Sequence, residues 1–264
     1  MNKDELMEHG LYRLMSNNIY RYRNFNRGFE MIKNQEIFLS SPDGFNDPFD
    51  CCEGLIEFKI TKEFIREYIT KHPAIIGMSS REQRRRIEKQ ALENPNSLNL
   101  DEFYKTQKQK FGICCFSWDC KNIVMWAHYA DNHQGICIGF KNLSPVVIGL
   151  YGIYPVEYVS EITKYQFDSF EDTQYWQHWL CTKSKMWDYE QEVRLISKSF
   201  NGVLKFPQKT ISEVILGLSV SNKDEQKIID LLLTHNYSKE TKLYRMTIDK
   251  KKFSLMPKEL KWTK

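Results

Sequence analysis

No stretch of this chain approaches the roughly 20 consecutive apolar residues that a membrane-spanning helix needs. The opening residues, Met-Asn-Lys-Asp-Glu-Leu, lack the apolar core of a secretory signal. The seven cysteines are odd in number and include two adjacent pairs, Cys51-Cys52 and Cys114-Cys115. That is a poor disulfide framework and reads as reduced thiols in a cytoplasmic protein. Gly-x-Ser-x-Gly, the Walker loop and Gly-x-Gly-x-x-Gly are all missing, which argues against common hydrolases, nucleoside triphosphatases and Rossmann enzymes. No repeat or low-complexity segment interrupts the chain. Net charge is a mild +4, which permits a nucleic acid or an anionic cofactor without demanding either.

What the chain has is length and aromatic mass. Its 264 residues, 41% of them hydrophobic, suffice for a substantial core. Fourteen Tyr, sixteen Phe and six Trp suggest ring-built interiors and pocket walls.

Alternation and punctuation predict the elements. Ile19 to Arg23 reads as a strand, with Asn24 capping a helix that carries Phe25, Phe29, Met31 and Ile32. Glu36 to Ser40 is a second strand, followed by a tight polar loop over Ser41 to Pro48. Leu55 to Ile60 is another strand. Residues 61–110 are charged and helical, with breaks at Pro73 and at Asn94-Pro95-Asn96, and read as a helical insertion. Strands return at Gly112 to Ser117 and Gly135 to Phe140, with a short helix over Asn122 to Tyr129 between them. A strand at Tyr154 to Val159, an aromatic helix at Glu171 to Leu180 and an acidic strand around Glu192 follow. Val214 to Gly217 (strand), Lys223 to Leu233 (helix) and Leu243 to Leu255 (strand pattern) complete the set. The expectation is one α+β domain with a largely antiparallel sheet, flanking helices and the insertion at about 61–110.

The most informative stretch is Tyr-Glu-Gln-Glu-Val-Arg, residues 189 to 194. On a strand, Glu190 and Glu192 fall on one face together with Arg194, while Val193 and Leu195 face a core. Such a strand builds one wall of a small-molecule site. The competing reading pairs Glu192 with Arg194 or Lys185 on a solvated sheet edge. Arg21 and Arg23 share a face of the first strand, with Tyr20 and Tyr22 on the other. Arg21 suits bidentate binding of a pyrophosphate, or is a surface arginine backed by a buried tyrosine. Asn46 and Asp47 fit an Asx-turn, whose loop could shape a pocket rim. Trp126, His128 and Tyr129 offer stacking surfaces for nicotinamide or adenine, or core packing and a buried histidine. Cys115, Cys120, His128 and His133 have outer gaps that fit a structural zinc site, but a central gap too short for a standard finger, so no metal is expected. The Arg81 to Arg86 run either grips phosphates of a nucleic acid or forms a solvated helix face interleaved with Glu82 and Glu88.

Several motifs together resemble a widespread bacterial domain-of-unknown-function family. They are Tyr-Arg-Tyr at 20 to 22, Ser-Pro-x-x-Phe-Asn-Asp-Pro-Phe at 41 to 49 and Cys-Phe-Ser at 115 to 117. Met-Trp-Ala-His-Tyr-Ala at 125 to 130, His-x-Gly-Ile-Cys-Ile-Gly-Phe at 133 to 140, Trp-x-Tyr-Glu-x-Glu-x-Arg at 187 to 194 and Glu-Val-Ile-Leu-Gly at 213 to 217 complete them. The order of elements also resembles the ADP-ribosyltransferase fold, nearest to DarT-type toxins that modify nucleic acid. Tyr20-Arg21 on the first strand and Gln191-Glu192-Val193 late in the chain match the pattern, with Arg21 in place of the DarT-type histidine and no Ser-Thr-Ser strand. That resemblance implies an effector that consumes NAD and moves ADP-ribose onto a nucleic acid or protein, as a toxin in defence against phage and with an antitoxin or regulatory partner. Under it Glu192 and Glu190 are catalytic, and Arg21, Tyr22, Ser41, Asn46, Trp126, His128 and Tyr129 line the cofactor site. The rival expectation is a non-enzymatic sensor or interaction domain.

Overall fold

The computed structural model describes residues 18–71, 80–98, 100–141, 143, 151–169 and 174–262. The chain opens with β1 (Ile19–Arg23), α1 (Phe25–Asn34) and β2 (Glu36–Leu39). Next come β3 (Ile56–Phe58), α2 (Lys62–Lys71), α3 (Arg81–Glu93) and α4 (Leu100–Lys110). Then follow β4 (Gly112–Ser117), α5 (Ile123–Tyr129), β5 (Ile136–Phe140), β6 (Tyr151–Pro155), β7 (Glu157–Val159) and β8 (Tyr165–Phe167). The chain continues through α6 (Tyr175–Cys181), β9 (Thr182–Ser184), β10 (Glu192–Ser197), β11 (Gly202–Lys205) and β12 (Ile211–Leu216). It ends with α7 (Asn222–Thr234), β13 (Lys242–Ile248) and β14 (Leu255–Leu260).

These elements divide into two units, one formed by Met1–Ser41, Phe111–Val156 and Met186–Lys264, the other by Pro42–Lys110 and Glu157–Lys185. The first holds an eight-stranded sheet in the order β14-β13-β12-β5-β1-β4-β10-β6. Neighbours run antiparallel except β12 and β13. Alternation decides what each face buries. Ile136, Ile138, Phe140, Val193, Leu195, Val214 and Leu216 join Met31 and Ile32 of α1 and Ile228, Leu231 and Leu232 of α7 in one apolar cluster. Tyr22, Cys137 and Ile215 meet Met125 and Trp126 of α5 in another. The sheet is thus covered by α1 and α7 on one side and by α5 on the other.

Local chemistry sets the helix starts. Asn24 accepts from the Arg27 amide at 2.9 Å, and Asn122 Oδ1 accepts from Val124 and Met125 at 2.9 and 3.1 Å. Each satisfies amides that a helix N-terminus leaves open. α1 ends where Gln35 turns left-handed (φ 54°) and its amide returns to the Met31 carbonyl.

The second unit is built on rings. Phe58 meets Phe167 edge-on at 5.5 Å, and Tyr104 meets Trp179 at 5.6 Å. The Trp179 indole N–H donates to the Cys51 and Cys52 carbonyls, both at 3.0 Å. Two short parallel pairs, β3 with β8 and β7 with β9, complete it. The helical stretch expected at about 61–110 falls within this unit.

Mixed α/β content and a mostly antiparallel sheet agree with the sequence reading. Three strands differ. Tyr154 to Val159 is two strands, because β6 closes at Pro155, which has no N–H to continue a ladder, and β7 begins at Glu157. Leu243 to Leu255 is a strand followed by a turn in which Asp249 Oδ1 accepts from the Lys251 amide at 2.8 Å, and β14 returns antiparallel. Leu55 to Ile60 shortens to Ile56–Phe58. Pro73 and the first residues of the expected 171–180 helix lie outside the described residues.

Two glycines let backbones cross beside β1. A Cβ on Gly135 would stand 2.2 Å from the Arg23 carbonyl oxygen, and one on Gly217 would stand 2.1 Å from that of His133. The Gly217 amide donates to the Gly135 carbonyl at 2.9 Å, locking the crossing. Because the obstacle is backbone, Gly135→Ala is expected to cost about 1–3 kcal/mol. Gly44→Ala, where nothing beyond the adjacent residues lies within 4 Å of the added carbon, should be nearly neutral. Urea-unfolding midpoints compare the two; equal midpoints would contradict the close-approach account.

Candidate functional site

Glu192 begins β10 and is 4% exposed, beside Arg194 at 0%. Arg194 Nε donates to Glu192 Oε1 at 2.8 Å and Nη2 to Oε2 at 3.1 Å, a two-pronged ion pair. The solvated sheet edge weighed from the sequence is therefore a buried pair. Glu190 also departs from expectation. It closes a 3-10 helix over Lys185–Glu190, and Gln191 takes φ 44° before the strand begins. The two acids are not on one strand, and strand alternation does not relate them. Glu190 is 3% exposed, and its Oε1 accepts from the Tyr129 hydroxyl at 2.6 Å. Its carbonyl accepts from Ser117 Oγ at 2.6 Å.

Register fixes which face each residue takes. Tyr20 opposes Ser117, and Ser117 opposes Glu192, so the three side chains form one row across β1, β4 and β10. Tyr20 packs with the cluster beneath α5, so Glu192 points to that side. Cys115 stands opposite Arg194 in the β4–β10 ladder, so its thiol lies on the Glu192 side of the sheet. Burial first, then the Glu192 charge, pushes that thiol well above the usual cysteine range.

Of the aromatic candidates, Tyr22 and Trp126 are interior. Trp126 is 0% exposed, meets Tyr22 edge-on at 5.2 Å and donates its indole N–H to the Cys120 carbonyl at 2.7 Å. Tyr22 donates to the Asp119 carbonyl at 2.7 Å. Both therefore serve as core, the structural alternative, and present no stacking face to a ligand. His128 is exposed, with Nδ1 3.3 Å from the Tyr189 hydroxyl. Tyr129 is half-buried and joins His128 along an open groove.

Arg21 leaves β1 on the side opposite Tyr20. Its guanidinium lies 5.9 Å from the Phe116 ring centre and donates through Nη1 to the Cys115 carbonyl, where the β1–β4 ladder has ended after its single rung. Arg21 Nε is buried without a hydrogen-bond partner. The Cys115 residue thus lies beside both Arg21 and Glu192, although the two side chains leave opposite faces of the sheet.

Two adjoining grooves run along this end of β1. One, of 640 Å³, is lined by Arg21, Arg23, Arg27 and Ser40 among others. The second, of 460 Å³, shares Arg23 and Arg27 with the first and adds His128 and Tyr129. Arg27 is a groove residue that the sequence reading passed over, and Arg23, placed there on the face of Arg21, was given no ligand role. The available signal was Arg21-x-Arg23 on a strand, continued by Arg27 in the first turn of a helix whose first turn has no acid. Arg21, then burial, push the Arg23 guanidinium down to about 9, with Arg27 adding to the effect.

Ser41 follows the groove residue Ser40, whereas exposed Asn46 belongs to the second unit. Cys115, Cys120, His128 and His133 are not gathered: among the described residues no cluster of three or more His, Cys, Asp or Glu is placed to hold a metal. Arg81, Arg84, Arg85 and Arg86 are exposed on α3. No described helix is long and apolar enough to cross a membrane.

Removing one member of a buried ion pair leaves the other charge stranded and typically costs about 3–5 kcal/mol. Glu192→Ala should therefore lower the unfolding midpoint sharply, and Glu192→Ala with Arg194→Met should recover part of the loss. Chemical denaturation of the single and double variants checks this; additive losses would show that the pair is not the unit that matters.

Comparison with curated proteins gives no match, and comparison with solved structures gives none. A family profile described as "Protein of unknown function (DUF2971)" matches residues 125–144, the stretch from α5 through β5 that walls the second groove and abuts β1. Over that stretch the chain is similar to a domain-of-unknown-function family, the kind of family that its motifs led us to expect.

Proposed function

We propose that the first unit is an ADP-ribosyltransferase-like module that cleaves NAD and transfers ADP-ribose to a nucleic acid or protein acceptor. One observation carries this reading: Arg23 and Tyr129 share a groove, and the Tyr129 hydroxyl holds Glu190, two residues from Glu192. A groove with a basic wall, suited to a pyrophosphate, thus has at its Tyr129 wall a hydroxyl bonded to the buried Glu190 carboxylate.

The chemistry follows from charge. Breaking the nicotinamide–ribose bond develops positive charge on the ribose, as in glycoside hydrolysis. Glu192, ion-paired with Arg194, is a carboxylate held in one orientation that would face that charge. Arg21 contributes guanidinium N–H groups to the pyrophosphate. Glu190 takes the acceptor's proton. In this reading the protein is an effector of the toxin type, acting in defence against phage.

A second reading, binding without turnover, draws on two observations. Arg194 already occupies both Glu192 oxygens, and Arg21 leaves the opposite sheet face from Glu192. It describes a sensor or interaction domain that keeps the groove and lacks the reaction.

The two readings separate on incubation with NAD and assay of free nicotinamide. The enzyme reading expects release that Glu192→Gln lowers by about 10²–10³-fold, the range for losing one electrostatic stabiliser. Circular dichroism confirms that the variant is folded. NAD binding without nicotinamide release supports the sensor reading. Release unchanged in folded Glu192→Gln removes Glu192 from the chemistry.

A further inference from the structure

We infer that Arg23 and Arg27, with Arg21 and His128 at the margins, form a binding site for a phosphate or pyrophosphate group, and that the groove they line is where a phosphorylated ligand docks. The inference stands whether or not the chain cleaves NAD.

The first support is convergence. Arg21 and Arg23 leave β1 on one face, two residues apart, and Arg27 reaches the same groove from the first turn of α1. Three cations on one wall repel one another, and the lowered basicity of Arg23 records that repulsion. A protein gains nothing from crowding guanidinium groups unless an anion offsets the cost.

The second is incomplete internal neutralisation. Among the described residues none of the three arginines forms an ion pair. The acids along the grooves are Glu30, Glu36 and Asp131. Glu36 is paired with Lys205 at 3.6 Å, while Glu30, which accepts from the neutral Asn34 amide at 3.2 Å, and Asp131 keep their charge, two acids against three arginines. Arg21 lines the first groove, and its Nε is buried without a hydrogen-bond partner.

The third is the backbone. α1 begins inside this cation cluster, its start lining the second groove through Asn24, Phe25 and Asn26. A helix N-terminus carries partial positive charge and favours an anion. Guanidinium forks match the paired oxygens of phosphate.

The phosphate could belong to a free nucleotide or to a nucleic acid strand, and titration separates these. Calorimetry of the full chain at low salt would use pyrophosphate in one arm and a short single-stranded oligonucleotide in the other. Saturable binding is expected in at least one arm. Stronger binding of pyrophosphate identifies a nucleotide-type ligand. Stronger binding of the oligonucleotide, with steep salt dependence, identifies a nucleic acid backbone. Arg27→Gln, at an exposed position where folding is not at risk, should weaken binding about tenfold, and Arg23→Gln should weaken it at least as much. No saturable binding in either arm overturns the inference, as does binding that both substitutions leave unchanged. Because the readout is affinity, a chain that binds pyrophosphate and releases no nicotinamide defeats the enzyme proposal and leaves this one standing.

Discussion

The Glu192–Arg194 pair is the constraint around which the rest of the site is arranged. Two full charges sit at 4% and 0% exposure on the same strand. Neither survives there alone, since an unpaired buried ion costs several kcal/mol. Two hydrogen bonds join the pair, and Arg194 stands directly opposite Cys115 on the neighbouring strand. β10 is tied to β4 along a six-rung backbone ladder, and Ser117 of β4 donates to the Glu190 carbonyl just before β10. The Arg21 guanidinium, donating to the Cys115 carbonyl, ties β1 to the same strand where the ladder between them has stopped.

That break in pairing has a consequence for function. β1 pairs with β5 along five rungs but with β4 at one. Past Tyr20 the ladder to β4 has no further rung, while Arg21 and Arg23 stay paired with Ile138 and Ile136 of β5 and line the first groove. The glycines at 135 and 217 bring the chain after α5 tightly against this end of β1, close enough that a methyl group would collide with the Arg23 carbonyl. Backbone at 131, 132 and 133 is left-handed three times running (φ 49°, 50° and 68°), which turns the chain from α5 into β5 within that space. Strain of this kind persists only when its surroundings hold it. Here it lies beside the proposed binding groove and inside the segment that matches the family profile.

Much of this was legible in the residues. The β1 strand, the Asn24 cap, the α5 helix and the apolar face of β10 follow from alternation and capping chemistry, and each lies where those rules put it. The alternation around Val193 and Leu195 correctly gave their burial. It failed two residues earlier because a positive φ at Gln191 cannot be read from a glutamine. Whether Glu192 faced water or the interior depended on strand order, which periodicity does not carry. The fate of Trp126 was open for the same reason: an aromatic at helical spacing looks alike whether it lines a pocket or fills a core. Arg27 stayed hidden because it stands on a different element from Arg21 and Arg23, and only the turn at Asn24 brings it into their groove.

The most direct test of this account is a structure of the protein with a non-cleavable NAD analogue. The account predicts the pyrophosphate against Arg21, Arg23 and Arg27, with the nicotinamide ribose carried past Tyr129 to the Glu190–Glu192 side of β1. A dinucleotide bound elsewhere, with this groove empty and the Glu192 carboxylate out of reach of the ribose, would contradict it.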